Sequence, residues 1–164
     1  MASLVSGNPG SGKSTLTSEL QRRGYRALDA DLVPGLAAWL NADGAIVGDA
    51  SMTPTRELLA TCFWGWSAAR LDEVLVELGG QGILLGIAVN QWEFIERFDR
   101  LVLLELDLVT QRERVSSRDG LFREQIENGL PVFQAQMLEC GAARADATQS
   151  TSDVADAVIH FLAM

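Results

Sequence analysis

Short apolar runs alternate with longer stretches of helical periodicity along most of this chain. The run at residues 83–88 is unbroken and apolar, which is typical of a strand buried on both faces of a sheet. Leu16 and Leu20 lie four residues apart on one face of a predicted helix, and Gly24 is a natural C-terminal stop. The pattern predicts strands at residues 3–6, 25–29, 83–88, 101–106 and 144–147.

Helices are predicted between these strands, over residues 14–23, 121–139 (interrupted at Pro131) and 152–162. Strands that alternate with helices favour a parallel sheet covered on both sides. The chain of 164 residues has no internal repeat, low-complexity tract or linker. We therefore expect one three-layer α/β domain spanning residues 1–164.

Residues 32–78 are predicted to form a helix-rich insert between the second and third strands. This stretch is unusually rich in large aromatic residues, namely Trp39, Phe63, Trp64 and Trp66. They could line a pocket for a ring or sugar face, or form the core of a small subdomain. Arg56 and Arg70 are candidate anchors for an anionic ligand.

One motif carries a specific chemical prediction. The first strand leads into G-x-x-x-x-G-K-S, read here as Gly7-Asn8-Pro9-Gly10-Ser11-Gly12-Lys13-Ser14, and a helix that includes Thr15 follows. The glycines let consecutive backbone N–H groups point at an anion, and the helix N-terminus adds its dipole. Lys13, the only lysine of the chain, would reach the β- and γ-phosphates from a solvent-facing position, and the Ser14 hydroxyl would ligate Mg²⁺. The motif predicts an ATP–Mg²⁺ site formed by residues 7–15.

Charge and composition narrow the class of partner. The net charge is −9 and the sequence pI is about 4.5, the opposite of the basic balance typical of nucleic-acid binders. No apolar stretch is long enough for a membrane helix, and the first strand begins too close to Met1 for a preceding signal peptide. Cys62 and Cys140, both in predicted helices, suggest reduced thiols. We expect a cytoplasmic protein that acts on a small molecule, as a monomer or homodimer.

Several motifs together resemble the small P-loop kinases, the group of adenylate, shikimate and gluconate kinases. They are the phosphate loop, Asp29-Ala30-Asp31 after strand two, Gly86 in strand three, Arg114-x-x-x-Arg118, and Asp146-Ala147-Thr148 near the end. The resemblance covers the whole chain. It implies a five-stranded parallel sheet of order 2-3-1-4-5, an acceptor-binding insert and a short lid at about residues 118–124. The implied activity is ATP-dependent transfer of the γ-phosphoryl to a hydroxyl or phosphate of a metabolite.

The resemblance also implies roles for individual residues. Asp29 would hold Mg²⁺ through water, while Asp31 would contact the acceptor hydroxyl and take its proton; the alternative for Asp31 is a helix N-cap. Both carboxylates can face one side, since residues two apart at a strand end do so. Arg114 and Arg118 share a helix face and would straddle the transferred phosphoryl, the alternative being a solvated surface with salt bridges. The adenine would lie beside the loop that contains Asp146 and Thr148.

Some features depart from the named relatives. Gly86 is followed by Ile87-Ala88-Val89-Asn90-Gln91, without the arginine that adenylate kinases carry there, which weakens a nucleoside monophosphate as acceptor. Asp107 is predicted to cap a helix rather than to act as a Walker B aspartate. Two other functions remain open: a nucleotide-dependent sensor with vestigial catalysis, and an NTP hydrolase.

Overall fold

The computed structural model describes residues 1–117 and 120–163. Its centre is a parallel sheet of five strands in the order β2-β6-β1-β7-β8. These strands are β1 (Ser3–Ser6), β2 (Ala27–Asp29), β6 (Ile83–Gly86), β7 (Arg100–Glu105) and β8 (Ala143–Asp146). Numbered by chain order within this sheet alone, their spatial order is 2-3-1-4-5, as the resemblance implied.

Helices cover both faces of the sheet. They are α1 (Lys13–Arg22), α3 (Ala68–Leu78), α4 (Leu108–Val115), α5 (Gly120–Glu139) and α6 (Thr151–Ala163). Val5 packs with Leu16 of α1 and Val158 of α6 on one face. Its neighbour Leu4 packs with Leu71 of α3 on the other, because successive strand residues point to opposite faces. The predicted three-layer α/β class is confirmed.

The insert differs from the helix-rich prediction. Its centre is a three-stranded antiparallel sheet of order β4-β3-β5, formed by β3 (Ala37–Asn41), β4 (Ile46–Gly48) and β5 (Cys62–Trp66). Only α2 (Arg56–Thr61) and α3 are α-helical there. Asn41 Oδ1 accepts hydrogen bonds from the N–H groups of Asp43 and Ala45, and Gly44 has a φ of 78°, so a turn replaces helix.

The aromatic residues of the insert divide between its core and its surface. Trp39 and Trp66 are buried, whereas Phe63 and Trp64 are half-buried. Cys62, expected in a helix, begins β5 instead, in a run whose aromatic residues favour strand. The core alternative therefore holds for Trp39 and Trp66.

Two further details differ from the sequence-based expectations. Helix α5 runs continuously through Pro131, which was expected to interrupt it. Asp107 caps α4 as predicted: its Oδ1 accepts from the Thr110 N–H at 2.9 Å, and bonds to Thr110 lower the pKa of the carboxyl. Within residues 1–117 and 120–163, no helix combines the length and apolar character needed to cross a membrane.

Candidate nucleotide and acceptor site

The loop between β1 and α1 has the backbone shape that anion binding requires. Gly10 and Gly12 have φ angles of 92° and 85°, in the left-handed region that side chains disfavour. Gly12 precedes α1 and gives it no side-chain cap, whereas Thr55, Ser67 and Asp107 cap α2, α3 and α4. The first N–H groups of α1 are therefore left for an anion, on the positive end of the helix dipole.

Lys13 is packed against its own loop rather than facing solvent. The residue is only 9% exposed, and its Nζ donates to the carbonyl oxygens of Gly7 at 2.5 Å and Asn8 at 3.3 Å. The solvent-facing position expected from the sequence is thus wrong. A flexible four-carbon stem allows the ammonium to exchange these carbonyls for phosphate oxygens.

Two buried polar atoms of the loop have no hydrogen-bond partner among the described residues: Asn8 Oδ1 and Ser11 Oγ. Buried polar atoms without partners are costly, so each is a place where a ligand or water would bind. Helix α4 supports the loop from behind, where the Gln111 amide donates to the Pro9 carbonyl at 3.3 Å. Ser14 and Thr15 are exposed at the start of α1, accessible to a phosphate and its metal ion.

Gly7 is needed for its size. A Cβ atom there would lie 2.7 Å from Ser11 Oγ and 2.8 Å from Leu104 Cβ. We expect Gly7→Ala to lower the free energy of unfolding by about 1–3 kcal/mol, because the added methyl displaces both the loop and β7. Urea denaturation measures this loss. Gly80→Ala is the matched control, since a Cβ at Gly80 meets nothing within 4 Å. Equal losses in both variants would contradict the close packing.

Asp29 and Ser14 line one cavity of about 160 Å³ beside the loop. Asp29 is 5% exposed, and its Oδ2 has no hydrogen-bond partner among the residues that the structure describes. Mg²⁺ is bound through one or two carboxylates, with waters and phosphate oxygens completing an octahedron. A cavity lined by a hydroxyl residue and by a carboxylate with an unpartnered oxygen fits that ion.

Asp31 follows β2 in a short 3₁₀ turn, Ala30–Leu32, whose N-cap is Asp29 rather than Asp31. The Asp31 N–H donates to Asp29 Oδ1 at 3.0 Å, which places the two carboxylates at the same sheet edge. Asp31 Oδ1 accepts from the Trp64 indole Nε1–H at 3.1 Å. The Trp64 ring meets Trp39 edge-on, with centroids 5.5 Å apart. The buried Trp39 thus supports the Trp64 side chain, whose indole N–H holds Asp31.

The insert is joined to the loop after β6 by contacts that sequence reasoning missed. The Asn90 amide donates to the Trp66 carbonyl and accepts from the Trp66 N–H, at 3.0 and 2.8 Å. The Val89 N–H donates to the Trp64 carbonyl at 2.9 Å. Gly86 permits Trp66 to come this close, since a Cβ at Gly86 would lie 3.0 Å from Trp66 Cζ2 and 2.6 Å from Ala30 Cβ. No sequence pattern marks Asn90, because its partner is distant in the chain.

Arg114 lies on the nucleotide side of the site. Its Nη1 donates to the carbonyl oxygens of Gly10 at 3.1 Å and Ala147 at 2.8 Å, and so joins the phosphate loop to the loop after β8. Arg114 is exposed, as the solvated-surface alternative expects, but these partners are backbone carbonyls of two loops and not the acidic side chains of that alternative. Arg118, the other arginine of the pair, lies outside the described residues, as does the start of the expected lid.

Asp146 organises the loop after β8. Its carboxylate accepts from the Thr148 hydroxyl and N–H, and from the Gln149 amide. The Thr148 hydroxyl is the main cause of the lowered pKa of Asp146. This turn and the phosphate loop enclose a cavity of about 250 Å³, lined by Gly10, Gly12, Thr15, Arg114, Ala147 and Gln149 among others.

A larger cavity, of about 700 Å³, opens at the opposite edge of the sheet. Its lining includes Met1, Tyr25, Arg26 and Asp99 and none of the residues of the phosphate loop. In open α/β sheets, ligands bind outside the carboxyl ends of the strands. We therefore place the functional site at the edge that carries the phosphate loop, although the cavities there are smaller.

Structures with the same architecture are known. Deoxyadenosine kinase from M. mycoides with bound dATP is 12% identical, with a TM-score of 0.60 over 100% of both chains. Shikimate kinase from Acinetobacter baumannii in complex with shikimate is 14% identical, with a TM-score of 0.60 over 99% of this chain and 93% of that one. This chain has the small P-loop kinase fold. A gluconokinase from Sinorhizobium meliloti 1021 with the same P-loop kinase fold is 15% identical, with a TM-score of 0.54 over 99% and 91% of the chains.

The likeness to these solved structures extends to the fold and does not identify the acceptor. No protein-family model matches the sequence, and a search of curated proteins finds no match. The three solved proteins are named for different acceptors, namely deoxyadenosine, shikimate and gluconate. The fold therefore leaves the acceptor open, and the identity of the acceptor has to come from this chain's own residues.

Proposed function

We propose that this protein is an ATP-dependent kinase that transfers the γ-phosphoryl group to a small-molecule acceptor. The observation that carries the proposal is the meeting, at one sheet edge, of an uncapped P-loop helix and the Asp29–Asp31 pair. A module that only binds a nucleotide needs the first of these and has no use for an acceptor-side carboxylate held by Trp64. The named activities of the structural neighbours support the same class.

Each group has a role in the proposed transfer. The N–H groups of residues 10–15 and the Lys13 ammonium bind the phosphates. These donors also stabilise the negative charge that develops on the phosphate oxygens in the transition state. Asp31 orients the acceptor hydroxyl and accepts its proton. The adenine ring of ATP occupies the cavity between the phosphate loop and the loop after β8, beside Arg114. Arg118 is proposed to contact the migrating phosphoryl from the lid.

Ser14 and Asp29 are proposed to hold Mg²⁺, the first directly and the second through water. When bound, this ion would neutralise negative charge on the phosphates of ATP. We expect Asp29→Asn to raise the Mg²⁺ concentration for half-maximal turnover by about tenfold. The Asn amide oxygen can still accept the hydrogen bond from the Asp31 N–H, so the turn is kept. Magnesium titrations of turnover and of ATP affinity measure the shift. An unchanged requirement in both titrations would remove Asp29 from the metal site.

A metabolite panel tests the proposed function. ADP release is followed with ATP–Mg²⁺ and each of a set of alcohols, sugars, sugar acids and nucleotides, and compared with release in the absence of an acceptor. The proposal expects at least one compound to raise release well above that background. ADP release that no compound raises would identify an NTP hydrolase, and tight ATP binding without release would identify a sensor.

A further inference from the structure

The acceptor side of the site, residues 30–97, holds little positive charge. It contains three arginines and no lysine: Arg56, Arg70 and Arg97. Arg70 is used within the insert, where it donates to the Pro34 carbonyl at 3.2 Å and pairs with Glu73 and Glu77 at 2.8 and 3.2 Å. The expectation that Arg70 anchors an anionic ligand therefore fails. Arg97 pairs with Asp72 and lies over the Phe94 ring, with its Cζ 4.9 Å from the centroid.

The surface beside Asp31 is apolar. Leu32, which follows Asp31, is 76% exposed, and Val89, whose N–H is bonded to the Trp64 carbonyl, is 62% exposed. Trp64, which is bonded to Asp31 through its indole and to Val89 through its carbonyl, adds a half-buried ring. Large side chains with an apolar ring and a polar edge suit a ligand that has both a hydrophobic face and hydroxyl groups.

We infer that the acceptor is an uncharged alcohol with an apolar face, and not a carboxylate or a phosphate ester. This inference rests on the proposed kinase function. An anionic acceptor seated on Trp64 would find no cationic partner among the described arginines of residues 30–97, because Arg70 and Arg97 are paired with carboxylates and Arg56 is exposed at the start of α2. An anion that gives up water without gaining a cationic partner is disfavoured strongly, whereas a neutral alcohol meets no such penalty.

The transfer to such an acceptor balances without any other reactant. The hydroxyl oxygen forms a bond to the γ-phosphorus, and the bond between that phosphorus and the β–γ bridging oxygen breaks, with its electrons leaving on ADP. The hydroxyl proton passes to Asp31 and then to water. The product is a phosphate monoester of the alcohol.

Matched pairs of compounds that keep the same hydroxyl groups and differ by one ionised group provide the first test. Suitable pairs are the methyl ester of shikimate with shikimate, and the methyl ester of a sugar acid with the sugar acid itself. For every pair in which either member is phosphorylated, we expect kcat/KM of the neutral member to be at least tenfold higher. Preference for the anionic member would overturn the inference and leave the kinase proposal intact. Phosphorylation of no compound would reject the kinase proposal and, with it, this inference.

A charge placed on the apolar wall provides the second test. Val89→Arg adds a cation beside Trp64, and since Val89 contributes only its N–H to the Trp64 bond, that bond is kept. We expect the ratio of kcat/KM for the anionic over the neutral member to rise at least tenfold. Val76→Arg, at a residue of α3 that is 82% exposed, adds the same charge as a control and should leave the ratio unchanged.

Arg56 is the alternative anchor and is tested by its own variant. If Arg56→Ala raised KM for an anionic acceptor by tenfold or more, with KM for ATP unchanged, the acceptor would be anionic and the inference wrong. An unchanged ratio in Val89→Arg would likewise contradict it, because the wall beside Asp31 would then not face the acceptor.

Discussion

Replacing Lys13 by methionine should reduce phosphoryl transfer by about 10²–10³-fold or more, the scale for removing one donor aimed at transition-state charge. Methionine keeps the length and apolar stem of a side chain that is only 9% exposed. What is lost is the ammonium, which in the structure donates to the carbonyl oxygens of Gly7 and Asn8. Those bonds contribute modestly, so the free energy of unfolding should change by about 1 kcal/mol.

The measurement for Lys13→Met combines single-turnover kinetics with urea denaturation. Arg22→Met is the matched control, because it removes a cation from the same helix at an exposed position that pairs with Glu19. The control should transfer phosphate at the parent rate. Parent-like turnover in Lys13→Met would mean that the loop at residues 7–14 is not the active site.

The second large effect is expected at the acceptor side. Asp31→Asn should lower turnover by about 10²-fold, since the amide cannot take the acceptor proton. Its oxygen can still accept from the Trp64 indole, so the local packing is kept. ATP affinity, measured by calorimetry, should stay within about twofold because the phosphate loop and Lys13 are untouched.

Asp43→Asn is the control for Asp31→Asn, since it removes the same charge from an exposed turn of the insert. Arg118→Ala should resemble Asp31→Asn in keeping ATP affinity and losing turnover, although for another reason: the migrating phosphoryl loses a cationic partner. If Asp31→Asn transferred phosphate at the parent rate, Asp31 would be no more than a link to Trp64.

The phosphate loop and the five-stranded sheet could be predicted because their signals are local. The motif fixes Gly7 to Ser14 in consecutive positions, and the apolar run at 83–88 identifies a buried strand without knowledge of its partners. The insert could not be predicted in the same way. Its strands β3 and β5 pair residues 21–29 positions apart, such as Asn41 with Cys62 and Ala37 with Trp66. This tertiary pairing overrides the local helical pattern.

The candidate site likewise has features that local sequence signals indicate and features that depend on contacts between distant segments. Residues that belong to one local motif could be proposed from the sequence, including Asp29 and Asp31 next to a strand end. Contacts between distant segments were not found, since nothing near Trp64 in the chain indicates Asp31, and nothing near Asn90 indicates Trp66. The packed position of Lys13 was missed for a different reason: the motif describes the loop with phosphate bound, when the ammonium faces the ligand.

The most direct test of the proposed kinase activity follows the γ-phosphoryl group itself. ATP labelled at the γ-phosphorus is incubated with the protein, Mg²⁺ and an acceptor from the panel, and the label is located after separation of the products. We expect the label on a hydroxyl oxygen of the acceptor, in a one-to-one ratio with ADP. Label found only in inorganic phosphate, or remaining in bound ATP, would contradict a kinase.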